Sequence, residues 1–268
     1  MYSYNFSNTS RIILNSVRRT ILQNVPTFAF SQENIIIHAF KSNNLDQDII
    51  RFRISTIPVP TLLSKTEFDS CLLSNTTKGI TMKCSVQNEL PEVKHVTTND
   101  CTFDQPNPYK NKILICSLQQ GERIDFTATA ITGQGLNHAI FCPTSKCYFT
   151  ETGKFVIHPR INYNGNKLLL DAIDILKFKL KYIKNFISIE KNKIIFLNDK
   201  FTLPMLLVDY LQDHTAIKYA GAKCNHLLES EGCIDYICET KVEIVLEEIV
   251  GKIENDLDTF STKLNALY

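Results

Sequence analysis

Residues 15–30 read NSVRRTILQNVPTFAF, and their reading decides the fold. An apolar pattern at helical spacing starts upstream at Ile12 and Ile13 and continues through Val17, Ile21 and Leu22. Asn8, Thr9 and Ser10 offer N-cap oxygens ahead of it, and Pro26 forces Val25 out of the helical region. The pattern predicts a helix from about Ser10 to Asn24. Two adjacent guanidinium groups, Arg18 and Arg19, sit in its middle. If Ile13, Val17 and Ile21 face their own sheet, the arginines point away from it, where planar guanidinium suits bidentate contact with carboxylates or carbonyls.

Bulk composition bounds the function. The chain has 268 residues, 44% of them hydrophobic, enough for one large domain or two to three small ones. Lys plus Arg number 29 against 28 Asp plus Glu, without the basic excess that phosphate-dominated binding needs. Any nucleic-acid role is therefore expected to be local or indirect. No apolar run approaches ~20 residues, and the opening MYSYNFSNTSR lacks the basic and apolar regions of a secretory signal. The nine cysteines are odd in number and widely spaced, which predicts reduced, mostly buried thiols in an intracellular protein.

Beyond the first helix, ENIIIHAF (33–40) and DIIRFRIST (48–56) read as two strands separated by a polar turn, and IPVP (57–60) breaks the pattern. From residue 61 to 149, loop chemistry alternates with strand-like KILICSLQ and RIDFTATAITG, a small β-rich module. KFVIHPRI (154–161) is strand-like. KLLLDAIDILKFKLKYIKNFI (167–187) is an amphipathic helix with Leu169, Ile173, Leu176, Leu180, Ile183 and Ile187 on one face and Lys177, Lys181 and Lys184 on the other. The last third runs a similar programme: strand NKIIFLN, short helix TLPMLLVDYLQ, strands AIKYAGAKC and CIDYICE, then a long helix. That helix places Val242, Leu246, Ile249, Ile253, Leu257, Phe260, Leu264 and Leu267 at near-heptad spacing, which suits helix-on-helix packing between two halves.

NSVRR followed by Val25-Pro26-Thr27 resembles the first-helix signature of the α-type subunits of multisubunit DNA-dependent RNA polymerases. DIIRFRISTIPVP is similar to a second family segment through Arg53, Ile54, Ile57 and Pro58, with Ser55 or Thr56 where glycine is usual. Gly133, Gly135, His138, Ala139, Phe141 and Pro143 resemble the end of the family's inserted domain. The C-terminal stretch is similar to the small, eleventh-type (L-like) partner through Asp199, Thr202, Leu203, Ala220, Gly221 and His226, with Leu227 where proline is expected.

The resemblance implies an α+β fold made of two α-subunit-like dimerisation folds forming an intramolecular pseudo-dimer. A third-type (D-like) fold would occupy 1–60 and 150–190, a β-rich insertion 61–149, and an L-like fold 191–268. The interface would use Val17, Ile21, Leu176, Leu180, Ile183, Leu246, Ile249, Ile253, Leu257 and Phe260. The implied role is noncatalytic: a scaffold that nucleates assembly of the two large catalytic subunits, with Arg18, Arg19 and Arg53 contacting the second-largest one. Largest and small polymerase subunits are further implied partners, with DNA met only through the complex. Fusion of the two subunit types points to a large DNA virus transcribing in the cytoplasm. That places the chain in the virion and virus factory, or in the nucleus if the source is not viral.

No acidic cluster suited to Mg²⁺ catalysis occurs, and no C-x-x-C pair occurs, so neither catalytic residues, a cofactor nor the family's four-cysteine metal site is expected. Two rival readings use other residues. One is a free-standing nucleic-acid binder using the lysine face that includes Lys177, Lys179, Lys181 and Lys184; the other is a Cys–His hydrolase built on His138 and Cys142.

Overall fold

The computed structural model describes the chain except for residues 7–8, 74–75, 161–162, 198, 225–230 and 267–268. Asn8, His226, Leu227 and Leu267, singled out above, lie outside the described residues. In chain order the elements begin with β1 (Tyr2–Asn5), α1 (Arg11–Gln23), β2 (Pro26–Ala29), β3 (Ile35–Lys41), α2 (Gln47–Ser55) and α3 (Lys65–Leu72). They continue with β4 (Lys78–Gln87), β5 (Lys94–Thr97), β6 (Cys101–Phe103), β7 (Leu114–Leu118), β8 (Arg123–Gln134), β9 (Thr144–Phe149) and β10 (Lys154–Pro159). The remainder is α4 (Gly165–Lys181), β11 (Ile187–Glu190), β12 (Lys193–Phe196), α5 (Thr202–Gln212), β13 (Ile217–Lys223), β14 (Gly232–Cys238) and α6 (Val242–Ala266). The architecture is mixed α+β, and it divides into two compact units: 1–24, 146–158 and 165–268 in one, 25–145 and 159–164 in the other.

The first unit contains one motif twice. β1, α1, β9, β10 and α4 form a βαββα sequence whose strands lie in the order β1-β10-β9; β12, α5, β13, β14 and α6 repeat it in the order β12-β14-β13. In both, the strand before the short helix pairs antiparallel with the strand before the long helix. β11 adds a further edge to the second sheet. Within each motif the short helix packs on the long one, α1 on α4 and α5 on α6. Between motifs, like meets like: α1 packs on α5 and α4 on α6. Such self-matching contacts are what a two-fold relation produces. The ion pairs Lys177–Asp258, from α4, and Lys184–Glu247, from the turn that follows it, run in opposite chain directions, so α4 and α6 are antiparallel.

Local sequence explains the helix ends. Ser10 Oγ accepts the Ile12 amide at 3.3 Å and starts α1, and the Asn24 amide closes it on Thr20 O at 2.8 Å. α4 stops at Lys181, so Ile187, expected on its apolar face, instead begins β11.

The second unit is a sheet in the order β2-β8-β4-β6, with β3 also on β8, and a separate β5-β7 pair. Alternate residues of β4 and β8 (Ile80, Met82 and Cys84; Ile124, Phe126 and Ala128) fill its core. Two findings differ from the sequence reading. Residues 48–56, expected as a strand, lie mostly in helix α2: Asp46 Oδ1 accepts the Asp48 amide at 3.2 Å, and the fully buried Ile50 and Ile54 stand one helical turn apart. The stretch 25–60, assigned above to the dimerisation fold, belongs to this unit because β2 and β3 both pair with β8.

Candidate functional site

The site predicted around Arg18 and Arg19 lies where α1, α4 and the start of α5 meet. Ile13, Leu14, Val17 and Ile21 of α1 are buried, and so are the small polar Ser16 and Thr20, with Thr20 Oγ1 donating to Ser16 O at 2.8 Å. Two buried faces leave only a narrow strip for charge, and the two arginines use it differently. Arg18 donates through Nε and Nη2 to Asn15 Oδ1 one turn earlier, at 3.2 and 2.9 Å. Arg19 reaches across to the second motif: Nε donates to Thr202 Oγ1 at 3.1 Å, Nη2 to Gln23 Oε1 at 3.4 Å, and the guanidinium lies 5.4 Å from the Phe201 ring centre. Burial lowers its pKa, the carboxylate of Asp199 opposes that, and the neighbouring Arg18 adds to it.

Asp199 organises the corner. Its Oδ1 accepts the amides of Phe201, Thr202 and Leu203 at 3.2, 2.8 and 3.4 Å, satisfying donors that open α5. Its Oδ2 pairs with Lys179 Nζ of α4 at 3.4 Å, and the same ammonium donates to Asn24 Oδ1 at 3.3 Å. One carboxylate thus connects the ends of three helices. Leu197, Phe201 and Met205 expose apolar surface on this part of the second motif.

All ten residues expected at the interface between halves are buried, from Val17 and Ile21 on α1 through Leu176 and Leu180 on α4 and the following Ile183 to Leu246, Ile249, Ile253, Leu257 and Phe260 on α6. Polar contacts fringe α6: Tyr210 donates to Asp256 at 2.6 Å, and His214 Nε2 lies 3.1 Å from Glu248. On the lysine face named above, Lys177 and the exposed Lys184 pair with acids of α6, and Lys179 pairs with Asp199.

Arg53 is exposed on the last turn of α2, in the other unit. That unit joins two of the motifs singled out in the sequence. Thr27 pairs with Gly133 in the β2–β8 ladder, and its hydroxyl donates to Phe141 O at 2.6 Å. The Phe141 ring covers Gly133 so closely that a Cβ there would sit 2.7 Å from it. These residues form a packed corner. His138 and Cys142 do not face each other as a dyad: His138 Nδ1 accepts the Ile140 amide at 3.2 Å, and the Cys142 thiol donates to Thr144 O at 3.2 Å.

All nine cysteines are free thiols, and six are buried. Among the described residues no group of three or more His, Cys, Asp or Glu is placed to hold a metal ion. No described helix is long and apolar enough to cross a membrane.

The doubled motif and its helix corner define an α+β protein organised by helix-on-helix contact between two similar halves. No protein-family model matches the chain. Among characterised proteins it is similar to archaeal subunits named DNA-directed RNA polymerase subunit Rpo3. The Pyrococcus furiosus protein is 33% identical over 132 residues, 48% of this chain and 47% of that protein. The Pyrococcus horikoshii protein is 33% identical over 142 residues, 51% of each, and the Picrophilus torridus protein 25% identical over 210 residues, 73% of each. The chain thus spans about half the length of the two Pyrococcus relatives it matches.

Proposed function

We propose that the chain is a noncatalytic assembly subunit of a multisubunit DNA-directed RNA polymerase. The observation that carries this is the doubled βαββα motif with like-on-like helix packing inside one chain. Similarity to subunits named Rpo3 supports it. In this reading the first unit is an intramolecular pseudo-dimer of a D-like and an L-like fold. The second is a β-rich insertion whose first boundary falls after Asn24, as the compact units favour. The pseudo-dimer nucleates assembly of the two large catalytic subunits. Arg18 in the first unit and Arg53 in the second offer guanidinium edges to the second-largest subunit, and Arg19 contributes by holding the corner that presents Arg18. Small polymerase subunits join the same scaffold, and DNA is met only through the complex. The union of both subunit types in one chain favours a viral source, with transcription in the host cytoplasm and packaging in the virion.

Affinity purification of the tagged chain from cells expressing it tests the proposal. Two very large polymerase subunits should be recovered with it, and recovery without them sinks the reading. Light scattering of the isolated chain should give a monomer, because each half already has its partner. A stable homodimer would favour an arrangement in which each half seeks a second copy.

A further inference from the structure

The second unit carries a pair of thiols that face each other across a ladder. In the antiparallel β4–β6 ladder Cys84 stands directly opposite Cys101. The Asp104 amide donates to Thr81 O at 3.3 Å, making 81–104 a hydrogen-bonded pair, so 82–103 and 84–101 are non-hydrogen-bonded pairs. At such pairs the Cα atoms approach to about 4.5 Å and side chains are closest. That spacing lies within the range of about 4.4–6.8 Å that a disulfide spans. Both thiols are buried, Cys84 at 2% exposure and Cys101 at 8%, and the Cys101 thiol donates to Thr97 O at 3.6 Å. β6 is a three-residue edge strand, the kind of element that opens locally at low cost. Beside it Tyr109 packs on Phe103, ring centres 5.7 Å apart, and among the described residues its buried hydroxyl has no hydrogen-bond partner.

We propose that Cys84 and Cys101 are a reversible disulfide-forming site that responds to peroxides. Cys101, the more exposed sulfur, attacks the O–O bond. An S–O bond forms, the O–O bond breaks, and the second oxygen leaves as water with the thiol proton. Sulfur is oxidised by two electrons and the peroxide is reduced. The sulfenic oxygen offers the Tyr109 hydroxyl the acceptor it lacks. Cys84 then attacks the sulfenic sulfur: the S–S bond forms, the S–O bond breaks, and the leaving hydroxide takes the Cys84 proton as a second water. Contact with Cys101, then burial, raises the Cys84 pKa, which disfavours it as the thiol that begins the reaction. The product ties the edge strand to β4, and a dithiol reductant restores both thiols.

The test treats the full chain, under native conditions, with hydrogen peroxide for hours. Remaining thiols are then alkylated and peptides mapped without reduction. The expected product is a Cys84–Cys101 linked peptide pair, lighter by two hydrogens, dominant over every other cysteine pair. It should carry a melting temperature raised by several degrees and reversed by dithiothreitol. Because Cys84→Ser puts a hydroxyl into the core, the primary reading is made on the unaltered chain. Tyr109→Phe should slow the linkage several-fold if the phenol steadies the sulfenic acid. The proposal is overturned if Cys84 and Cys101 both remain alkylatable after Cys142, Cys224 and Cys238 are consumed, or if the linkage forms only in denaturant.

Discussion

The two βαββα motifs share a topology and differ in what interrupts them. Between α5 and β13 the chain uses only residues 213–216, whereas between α1 and β9 it passes through residues 24–143, which form most of a second compact unit. Their sheets differ too. β10 buries Phe155, Val156 and Ile157 in succession, whereas the second sheet leaves Tyr219 at 55% and Ile237 at 52% exposure. The long helices differ in length: α4 ends at Lys181, and α6 continues to Ala266. One framework thus accommodates a short turn or a folded insertion at the same joint, provided that the helix contacts are kept.

Six substitutions would break or sharpen that comparison. Phe260→Ala removes a ring at 1% exposure that packs 4.6 Å from Phe6, joining the second motif's long helix to the residue that follows the first motif's strand β1. It should cost about 3–5 kcal/mol, read as a lowered denaturant midpoint. Gly165→Ala forces a Cβ to 2.6 Å from Tyr2 and Tyr4 at the start of α4. Overpacking there should cost about 1–3 kcal/mol by the same measurement.

Glu122→Gln tests the insertion rather than the repeat. The carboxylate is 3% exposed and accepts the Gln119 and Asn43 amides at 2.8 and 2.7 Å and the Ser42 hydroxyl at 2.9 Å. The Gln119 bond, helped by those from Asn43 and Ser42, lowers its pKa against the opposing effect of burial. The stability it contributes is therefore complete above the unfolded carboxylate's pKa of about 4.3 and is lost as pH falls through the lower folded value. The substitution should cost about 1–3 kcal/mol at neutral pH. Thermal melts of both proteins should converge as the solution is acidified, and a constant gap across that range would refute the assignment.

Arg19→Ala should cost about 1 kcal/mol, and Arg18→Ala less than about 0.5 kcal/mol. Of the two arginines, Arg19 is the one that bonds to the second motif. Equal losses in the two variants would remove that distinction. The smallest effect has the opposite sign: Gly251, within α6, has open space where a Cβ would stand. Gly251→Ala should raise the melting temperature, a gain of about 0.5–1 kcal/mol.

Much of the repeat was legible because it is written in local periodicity. The apolar spacing of α1, α4 and α6 and the alternation of β8 follow from helix and strand geometry and survive in the structure. α2 was misread because Ile50 and Ile54, four apart, fit a strand face as well as a helix face. The Asp46 cap was the overlooked signal. α3 likewise announces itself by a Ser64/Glu67 capping box. The membership of β2 in the second compact unit is not legible locally, because its partner, β8, lies about a hundred residues downstream. Arg19 stood out by composition, but its bond to Thr202, 183 residues away, is decided by tertiary packing.

The passage from α4 to β11 has a kinetic consequence. Only residues 182–186 separate the last turn of the first motif from the first strand of the second. A tether this short holds the two partners at an effective concentration of order millimolar or above, so their union is intramolecular. Dilution cannot dissociate them, and their stoichiometry is fixed at synthesis. Their joint melting should accordingly be the same at nanomolar and at micromolar protein.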